Sequence, residues 1–505
     1  MITAEVQLGV GAPTFEEVVN VARHNARVEL SEEALSAIAA SRAIVERLAD
    51  DPQPHYGVST GFGALATLHI PVAKRVELQR SLIRSHAAGS GPEIEREVVR
   101  ALMLLRLSTL ATGRTGVRVE TAQAYVRLLN DQVTPVVHEY GSLGCSGDLA
   151  PLAHCALALM GEGDVRDRDG VLRPAAEVVE PITLHEKEGL ALINGTDGML
   201  GMLVLALDDL RTLLTTADIT AAMSVEGLLG TDRVFAADLH ALRPQAGQQH
   251  SAANIRRVLA DSPIVASHRG PEDTRVQDAY SLRCAPQVAG AARDTAAHAA
   301  GVAARELESA VDNPVITLDG RVESNGNFHG APVGYVLDFL AIACADVASM
   351  AERRTDRFLD KARSHGLPPF LADDPGVDSG YMIAQYTQAA LVSEMKRLAV
   401  PASVDSIPSS AMQEDHVSMG WSAARKLRRS IDALSQVLAI ELLTAARGIA
   451  LRAPLVPAAA TGAVMKDLPG PGPDRFLAPE IAAATDFVKS GGAVRAAESV
   501  TGELA

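Results

Sequence analysis

The spacing of apolar residues along the second half of the chain predicts long helices. Tyr335–Met350 is apolar on nearly every side, so we expect this segment at the centre of a helical bundle. The alternating prolines and glycines of Pro469–Pro473 break the pattern before a final helical tail. Apolar positions recur at helical intervals, opposite charged faces, over about 196–229, 286–310, 331–364, 380–399 and 418–449.

The first half of the chain mixes shorter helical patterns with glycine-rich loops. Helical spacing runs from Glu97 to Leu110, and the richest loops are 55–63 and 141–148. The charged segment 164–186, with two prolines, is typical of an exposed connection. We therefore predict a mainly α-helical protein with two parts. These are an N-terminal domain, 1–195, that carries the loops, and a long helical bundle with its C-terminal tail, 196–505.

Composition and charge narrow the class of protein. The 505 residues are 47% hydrophobic but only 3% aromatic, which favours a large helical core. A formal net charge of -16 argues against nonspecific binding to nucleic acids or anionic membranes. The four cysteines show neither a disulfide framework nor metal-ligand spacing, so we expect no metal. With no signal-like N-terminus, and with 199–207 too short to span a bilayer, the expected location is the cytoplasm.

The string Gly141–Leu152 contains a tripeptide whose backbone can cyclise. The amide nitrogen of Gly147 would attack the carbonyl of Cys145, and glycine allows the close approach because it lacks a Cβ. Loss of water from the new ring, and of a second water from Ser146, would leave a methylene group on an imidazolone. No ordinary side chain is such an electrophile. For the tripeptide alone, a surface turn is the alternative interpretation.

The whole string resembles the active-site signature of the aromatic amino-acid ammonia-lyases. These enzymes carry a 4-methylidene-imidazol-5-one (MIO) group, and Asp148, Pro151 and Leu152 occupy the family's positions. Cys145 stands where the family most often has alanine, but only the backbone of that residue enters the ring. The resemblance extends from the Tyr56 loop to Ile481. It implies a homotetramer of the fumarase–aspartase-like fold, in which three protomers contribute to each active site.

The stretch Tyr56–Gly63 resembles a second signature of the family. The matching tyrosine removes a proton from the substrate's β-carbon, which gives Tyr56 the role of catalytic base. A free phenol titrates near ~10, so the site would have to stabilise the phenolate. The alternatives are a packed tyrosine in a connecting loop or a phosphate-binding loop, whose fingerprints are missing here.

The remaining site residues lie in stretches that match the family position by position. Within Gln277–Cys284, the resemblance places Tyr280 near the cofactor as a catalytic residue and assigns Arg283 to the substrate carboxylate. Arginine suits that task because its planar fork donates two parallel hydrogen bonds. The resemblance further implies cofactor contacts for Gln277, Phe328 and Asn194, and substrate contacts for Asn194 and Asn313.

Two positions bear on the substrate ring, and histidine-specific members of the family resemble this chain at both. They are His86 and Glu414, the second of which can accept the N–H of an imidazole. Opposite a phenyl ring, a buried carboxylate would have no hydrogen-bond donor, which costs about 2–7 kcal/mol. The resemblance thus implies deamination of L-histidine to trans-urocanate and ammonia. Met412 and Arg84 depart from the histidine-specific pattern, which commonly has asparagine and an aliphatic residue there.

Several alternatives remain open on sequence alone. A tyrosine or phenylalanine ammonia-lyase, or an MIO-dependent 2,3-aminomutase, would carry the same loops. A serine hydrolase would use Ser146 with His154 or His416, but Asp148 breaks the Gly-x-Ser-x-Gly pattern. A metal site at Asp415 and His416 lacks the paired-histidine spacing. A catalytically silent helical scaffold would keep the tripeptide uncyclised.

Overall fold

The computed structural model describes residues 3–51, 53–61, 68–271, 273 and 276–505. Helices dominate this part of the chain, which confirms the predicted mainly α-helical class. Helices α1 to α8 are Phe15–His24, Glu32–Ala49, Arg75–His86, Arg96–Ala111, Val119–Asn130, Leu149–Leu159, Ala175–Val178 and Glu188–Ala191. Helices α9 to α14 are Asp197–Gly227, Ala237–Ala241, Ala246–Val258, Pro263–Ala266, Tyr280–Arg283 and Ala285–Leu307. Helices α15 to α20 are Ala331–Leu359, Met382–Leu398, Gly420–Ala450, Ala459–Met465, Leu477–Lys489 and Gly492–Thr501.

The strands are short and form small separate sheets. Strands β1 and β2 pair in parallel, β3 pairs antiparallel with β5, β6 lies between β4 and β7, and β8 pairs with β9. The segment 164–186 is largely exposed, as predicted, but it is more than a connection, because it contains β6, β7 and α7. Asp167 accepts the amide of Val171 at 2.9 Å and closes this hairpin. The strands are Glu5–Leu8, Arg27–Leu30, Ser90–Glu93, Thr134–Pro135, His138–Tyr140, Asp164–Arg166, Leu172–Pro174, Val315–Ile316 and Val322–Glu323.

The long helices of the second half confirm the predictions from periodicity, with one correction on α15. Most of Tyr335–Met350 is buried, as predicted, but three of its apolar residues are on an exposed face. Tyr335, Phe339 and Ile342 are 61%, 48% and 45% exposed. Their spacing of four and three residues puts them on one side of the helix. Apolar residues on every side therefore do not mean burial on every side within one chain.

The described residues group into two compact units, each made of three chain segments. The first comprises 1–205, 300–338 and 401–425, and the second comprises 206–299, 339–400 and 426–505. Four of the five unit boundaries fall inside α9, α14, α15 and α17, and the fifth follows α16. The division predicted between residues 195 and 196 stays a prediction.

Each unit buries charged side chains with partners. In the first unit, Arg100 of α4 donates to the carbonyls of Val21 and Leu129 at 3.0 and 3.1 Å. In the second unit, Arg354 and Glu441 form a buried ion pair at 2.5 Å. Buried charges paired in this way avoid much of the cost of desolvation.

Two helices, α15 and α17, are long and apolar enough to satisfy length and composition criteria for a membrane span. Of their apolar windows, 61% and 89% are buried inside the protein, and core helices of soluble proteins pass the same criteria. The stretch 199–207, the most apolar one noted in the sequence, lies inside α9. The longer apolar windows of α15 and α17 were not predicted from the sequence, because polar residues interrupt them.

Candidate active site

The tripeptide Cys145–Gly147 lies in the loop between β5 and α6, in the first unit. Gly147 has a φ of +79°, and a Cβ there would be 2.1 Å from the carbonyl oxygen of Gly195. The next amide, that of Asp148, donates to the same oxygen at 2.7 Å. A side chain at position 147 is therefore sterically excluded. This compressed backbone, with glycine as its last residue, fits the demands of ring closure between residues 145 and 147.

Asp148 fixes the C-terminal side of the tripeptide. Its buried carboxylate accepts the hydroxyl of Ser142 at 2.8 Å and the amides of Gly198 and Met199 at 2.9 Å each. Burial raises the pKa of Asp148 to about 7, although these hydrogen bonds oppose the shift. The carboxyl group thus ties the loop to the first turn of α9.

The N-terminal side of the tripeptide is clamped by two distant segments. The carbonyl oxygen of Gly144 accepts the hydroxyl of Ser418 at 2.7 Å and the amide of Gly330 at 3.2 Å. The carbonyl of Leu143 accepts the amide of Met419 at 2.9 Å. The residues that follow Phe328 and Glu414 in sequence thus hold the reactive loop in place.

Glu414 contacts the tripeptide directly. The hydroxyl of Ser146 donates to its Oε1 at 3.2 Å, and the thiol of Cys145 lies 3.8 Å from its Oε2. Burial, and next the negative charge of Glu414, raise the pKa of the Cys145 thiol. The thiol therefore stays protonated at neutral pH, where it is a poor nucleophile.

His86 is the last residue of α3, and its ring has a defined tautomer. Nδ1 lies 2.9 Å from the carbonyl oxygen of Leu82. Because a carbonyl only accepts, the neutral ring carries its proton on Nδ1 and leaves the lone pair on Nε2. Burial lowers the pKa of His86, while the Leu82 hydrogen bond and the charge of Glu414 oppose the shift. His86 and Glu414 thus interact electrostatically within one unit.

The two departures from the histidine-specific pattern both lie at the surface. Arg84 binds Glu162 through two nitrogens, at 2.7 and 3.0 Å. Met412 is 67% exposed. Arg84 is thus held by an ion pair on the outer side of α3.

The Tyr56 loop is a tight turn packed against the Asn313–Pro314 segment. His55 and Ser59 exchange hydrogen bonds of 2.9 Å, which close the turn around the half-buried Tyr56. Gly57 has a φ of +75°, and a Cβ there would be 3.0 Å from Cδ of Pro314 and 3.1 Å from Leu190. Position 57 therefore requires glycine, both because φ is positive and because a Cβ would be too close to its neighbours. Residues 62 and 63 of the predicted loop lie outside the described residues.

Arg106 joins the segments that carry the two candidate asparagines. Its buried guanidinium donates to the carbonyls of Asn194 and Val311, both at 2.8 Å. Its Nε lies 3.4 Å from the carboxylate of Asp197. Asn194 itself is buried, and its amide donates to the carbonyl of Leu190 at 3.1 Å. One side chain therefore sets the spacing between residues 194 and 311.

Asn313 is oriented by its own loop. Its side-chain oxygen accepts the hydroxyl of Ser324 and the amide of Asn325, both at 3.0 Å, which leaves its NH₂ group for other contacts. Beside it, Lys187 and Asp312 form a fully buried ion pair at 2.5 Å. Burial lowers the pKa of Lys187, and the charge of Asp312 opposes the shift.

These buried charges are site residues that the sequence analysis missed. Arg106 lies within the mainly apolar segment 101–111, and a charged residue in such a segment indicates a buried charge that has a partner. Lys187 and Asp312 had no such signal, because each sits in a polar stretch. Ser409 and Ser410 were also missed; their hydroxyls donate to Glu414 at 3.2 and 2.6 Å.

Phe328 is half-buried and precedes a histidine that stacks on a second histidine. The rings of His329 and His416 are nearly parallel, with centroids 5.6 Å apart. The stack joins the Phe328 loop to the Glu414 loop within the first unit.

The predicted residues Gln277, Tyr280 and Arg283 belong to the second unit. Tyr280 is 70% exposed, and the guanidinium of Arg283 lies over its ring, 4.7 Å from the centroid. The Nε of Arg283 is buried and has no hydrogen-bond partner among the described residues. Gln277 lines a cavity of about 290 Å³. Arg283 therefore presents an unsatisfied donor of the kind a carboxylate binds.

The geometry disfavours the hydrolase alternative. The hydroxyl of Ser146 donates to Glu414, whereas Nε2 of His154 accepts the amide of Gly89 at 3.1 Å and the ring of His416 stacks on His329. Within the described ranges, no group of three or more histidine, cysteine or acidic side chains could hold a metal ion.

His154 links α6 to the strand that follows His86, and we expect it to make stability depend on pH. Burial, then the charge of His138, lower its pKa from 6.5 to about 4. Its contribution to stability is present above the unfolded pKa and is lost as pH falls toward the folded value. After allowance for partial exposure, the loss is about 2 kcal/mol.

A His154→Gln variant checks this expectation, since glutamine can accept the Gly89 amide but does not titrate. Asp148 titrates with the opposite sign in both proteins, so the difference between them isolates His154. Urea unfolding midpoints of both proteins, measured from neutral to mildly acidic pH, should show the parent's midpoint falling relative to that of the glutamine variant as the pH falls. A constant gap would show that His154 titrates normally.

Comparisons with known proteins show the family to which this chain belongs. Residues 14–469 match the family described as aromatic amino acid lyase. The chain therefore belongs to the aromatic amino acid lyase family.

Individual members of the family differ in how similar they are to this chain. The chain is 67% identical to a protein named histidine ammonia-lyase from Streptomyces avermitilis, over 99% of both chains. Two solved structures share the fold. Tyrosine aminomutase from Streptomyces globisporus has a TM-score of 0.93 and 37% identity, covering 99% of this chain and 100% of that one. Histidine ammonia-lyase from Trypanosoma cruzi has a TM-score of 0.90 and 38% identity, covering 98% and 95%.

Proposed function

We propose that this protein converts L-histidine to trans-urocanate and ammonia. The observation that carries the proposal is the carboxylate of Glu414, which lies 3.2 Å from the hydroxyl of Ser146 and whose charge acts on the His86 ring. A carboxylate beside the reactive tripeptide provides an acceptor for an imidazole N–H, which a phenyl ring lacks. The 67% identity to a histidine ammonia-lyase supports the same substrate.

We further propose that Cys145, Ser146 and Gly147 form the MIO group. The Gly147 nitrogen bonds to the Cys145 carbonyl carbon, and closure of this ring releases one water. Elimination of the Ser146 hydroxyl then releases a second water. The steric exclusion of any side chain at Gly147 supports this, as does the position of Asn194, whose backbone Arg106 holds. Gln277, Phe328 and Asn194 would hold the group. Once formed, it supplies the electrophile that activates the amine as a leaving group.

The positions of the other residues support the roles that we propose for them. Tyr56, in its tight turn against the Asn313–Pro314 segment, takes the β-proton. The free NH₂ of Asn313 and the amide of Asn194 orient the substrate, and Arg283, with its unsatisfied Nε, binds the carboxylate. Tyr280 acts near the cofactor, beside Arg283.

The active form we propose is a cytoplasmic homotetramer with sites shared between protomers. The exposed face of α15, with Tyr335, Phe339 and Ile342, is the kind of apolar surface that another subunit covers. Gln277, Tyr280 and Arg283 lie in the second unit, whereas the tripeptide and Tyr56 lie in the first. Under this proposal, the second-unit residues of one protomer complete the site of another.

A second candidate is an aminomutase, because the tyrosine aminomutase structure shares the fold at a TM-score of 0.93. An aminomutase would return the amine to the β-carbon instead of releasing it. Its identity to this chain, 37%, is well below the 67% of the histidine ammonia-lyase, so the lyase is favoured.

The test is to offer L-histidine, L-phenylalanine and L-tyrosine separately and to record the ultraviolet absorbance of each unsaturated acid. We expect urocanate and free ammonia from L-histidine, with at least about 10³-fold lower kcat/KM for the other two. A β-amino acid product would favour the aminomutase, and a faster reaction with tyrosine would contradict the proposed substrate.

A further inference from the structure

Glu414 closes a turn with an unusual backbone. Three consecutive residues that are not glycine, Ser410, Ala411 and Met412, have φ values of 50°, 54° and 70°. The turn is closed by the amide of Ser409, which donates to the carbonyl of Glu414 at 2.9 Å. Left-handed conformations are unfavourable for L-residues with a Cβ, and they persist where surrounding contacts enforce them. The contacts made by this turn converge on the Glu414 side chain.

The two oxygens of the Glu414 carboxylate have different partners. Oε2 accepts hydrogen bonds from Ser410 at 2.6 Å and from Ser409 at 3.2 Å. A carboxylate oxygen has two lone pairs, so these two hydroxyls occupy it. The thiol of Cys145, a weaker hydrogen-bond donor than a hydroxyl, also lies 3.8 Å from Oε2. Oε1 instead accepts the hydroxyl of Ser146, at 3.2 Å.

We propose that Ser410, supported by Ser409, is a positioning residue that reserves Oε1 of Glu414 for the substrate ring. The inference rests on the proposed function. When Ser146 loses its hydroxyl as water, Oε1 loses the donor it has in the uncyclised chain. The imidazole N–H then takes that place, while the two serines keep the carboxylate from rotating. The left-handed turn brings the Ser410 hydroxyl back onto Glu414, four residues further along the chain.

The experiment compares Ser410→Ala with the conservative variant Ser410→Thr, each alone and with Glu414→Gln. Ser410→Ala should lower kcat/KM for L-histidine about tenfold, as expected for the loss of one hydrogen bond to a charged group. Threonine keeps the hydroxyl and should stay within about twofold of the parent. In the Glu414→Gln background, Ser410→Ala should have little further effect, because the two residues act through one contact. Ser409→Ala, which removes the longer hydrogen bond, should have the smaller effect.

Two further measurements separate positioning from a general structural role. The intact mass of Ser410→Ala should still be two waters below the sequence mass, and its thermal unfolding midpoint should be no lower than that of Ser410→Thr, because a β-branched residue is strained at a φ of 50°. Loss of the mass difference would assign Ser410 to ring closure and overturn the proposal. Full activity of Ser410→Ala, or an equal effect with and without Glu414→Gln, would overturn it as well. Failure of the proposed function is distinct, since the parent protein itself would then leave L-histidine unchanged.

Discussion

Glu414→Ala is expected to lower kcat/KM for L-histidine by at least about 100-fold while leaving cyclisation intact. The carboxylate is the acceptor we assign to the substrate ring. A charge-assisted hydrogen bond is worth up to about 3 kcal/mol, or about 100-fold, and its loss also leaves the ring N–H without a partner in the site. Its side chain forms no bond of the cyclised tripeptide, although Oε1 is 3.2 Å from the Ser146 hydroxyl. Urocanate absorbance measures the activity, and intact mass measures the loss of two waters.

Glu414→Gln is the matched control, because it keeps the size and one acceptor oxygen but removes the charge. Its activity should fall between those of the parent and the alanine variant. If Glu414→Ala kept full activity toward L-histidine, the assignment of this carboxylate to the ring would be wrong.

Ser146→Ala is expected to abolish measurable deamination, the largest effect of any single change. Alanine has no hydroxyl to eliminate, so the methylidene group cannot form and the amine keeps its poor leaving ability. The intact mass of the variant should be at most one water below its sequence mass, because alanine has no hydroxyl to release as the second water. The folded structure should survive, since the one side-chain hydrogen bond lost joins Ser146 to Glu414.

The neighbouring Cys145→Ala variant provides the control. Only the backbone of residue 145 would enter the ring, and the protonated thiol lies 3.8 Å from Glu414 in a small apolar cluster with Val417 and Met419. We expect the two-water mass difference to persist and the activity to stay within about tenfold of the parent. Activity in Ser146→Ala comparable to that of Cys145→Ala would rule out the proposed electrophile.

Local sequence patterns predicted the helices well, because their periodicity is a property of each segment alone. The expected helix over about 286–310, for example, is Ala285–Leu307. The patterns were insufficient where a helix face has no partner within the chain. Tyr335 and Phe339 are as apolar as core residues, yet they are exposed. The hairpin of β6 and β7 was missed because its closing contacts come from polar aspartate side chains.

The candidate site was predictable only where its residues form a contiguous motif. The string around Ser146 pointed to the tripeptide, and the position of Glu414 matched a family stretch. Arg106 was not predictable, since its partner carbonyls at Asn194 and Val311 lie 88 and 205 residues away in sequence. Contacts between such distant segments leave no local pattern.

The clamp on the Gly144 carbonyl has a consequence for when the enzyme matures. The ribosome makes residues 145–147 early, but the groups that hold this loop come from Gly330 and Ser418, much later in the chain. A nascent polypeptide therefore lacks the completed clamp until translation is nearly finished. If the proposed ring closure needs this clamp, chains that end before Ser418 should keep the full mass of their sequence, without the loss of two waters.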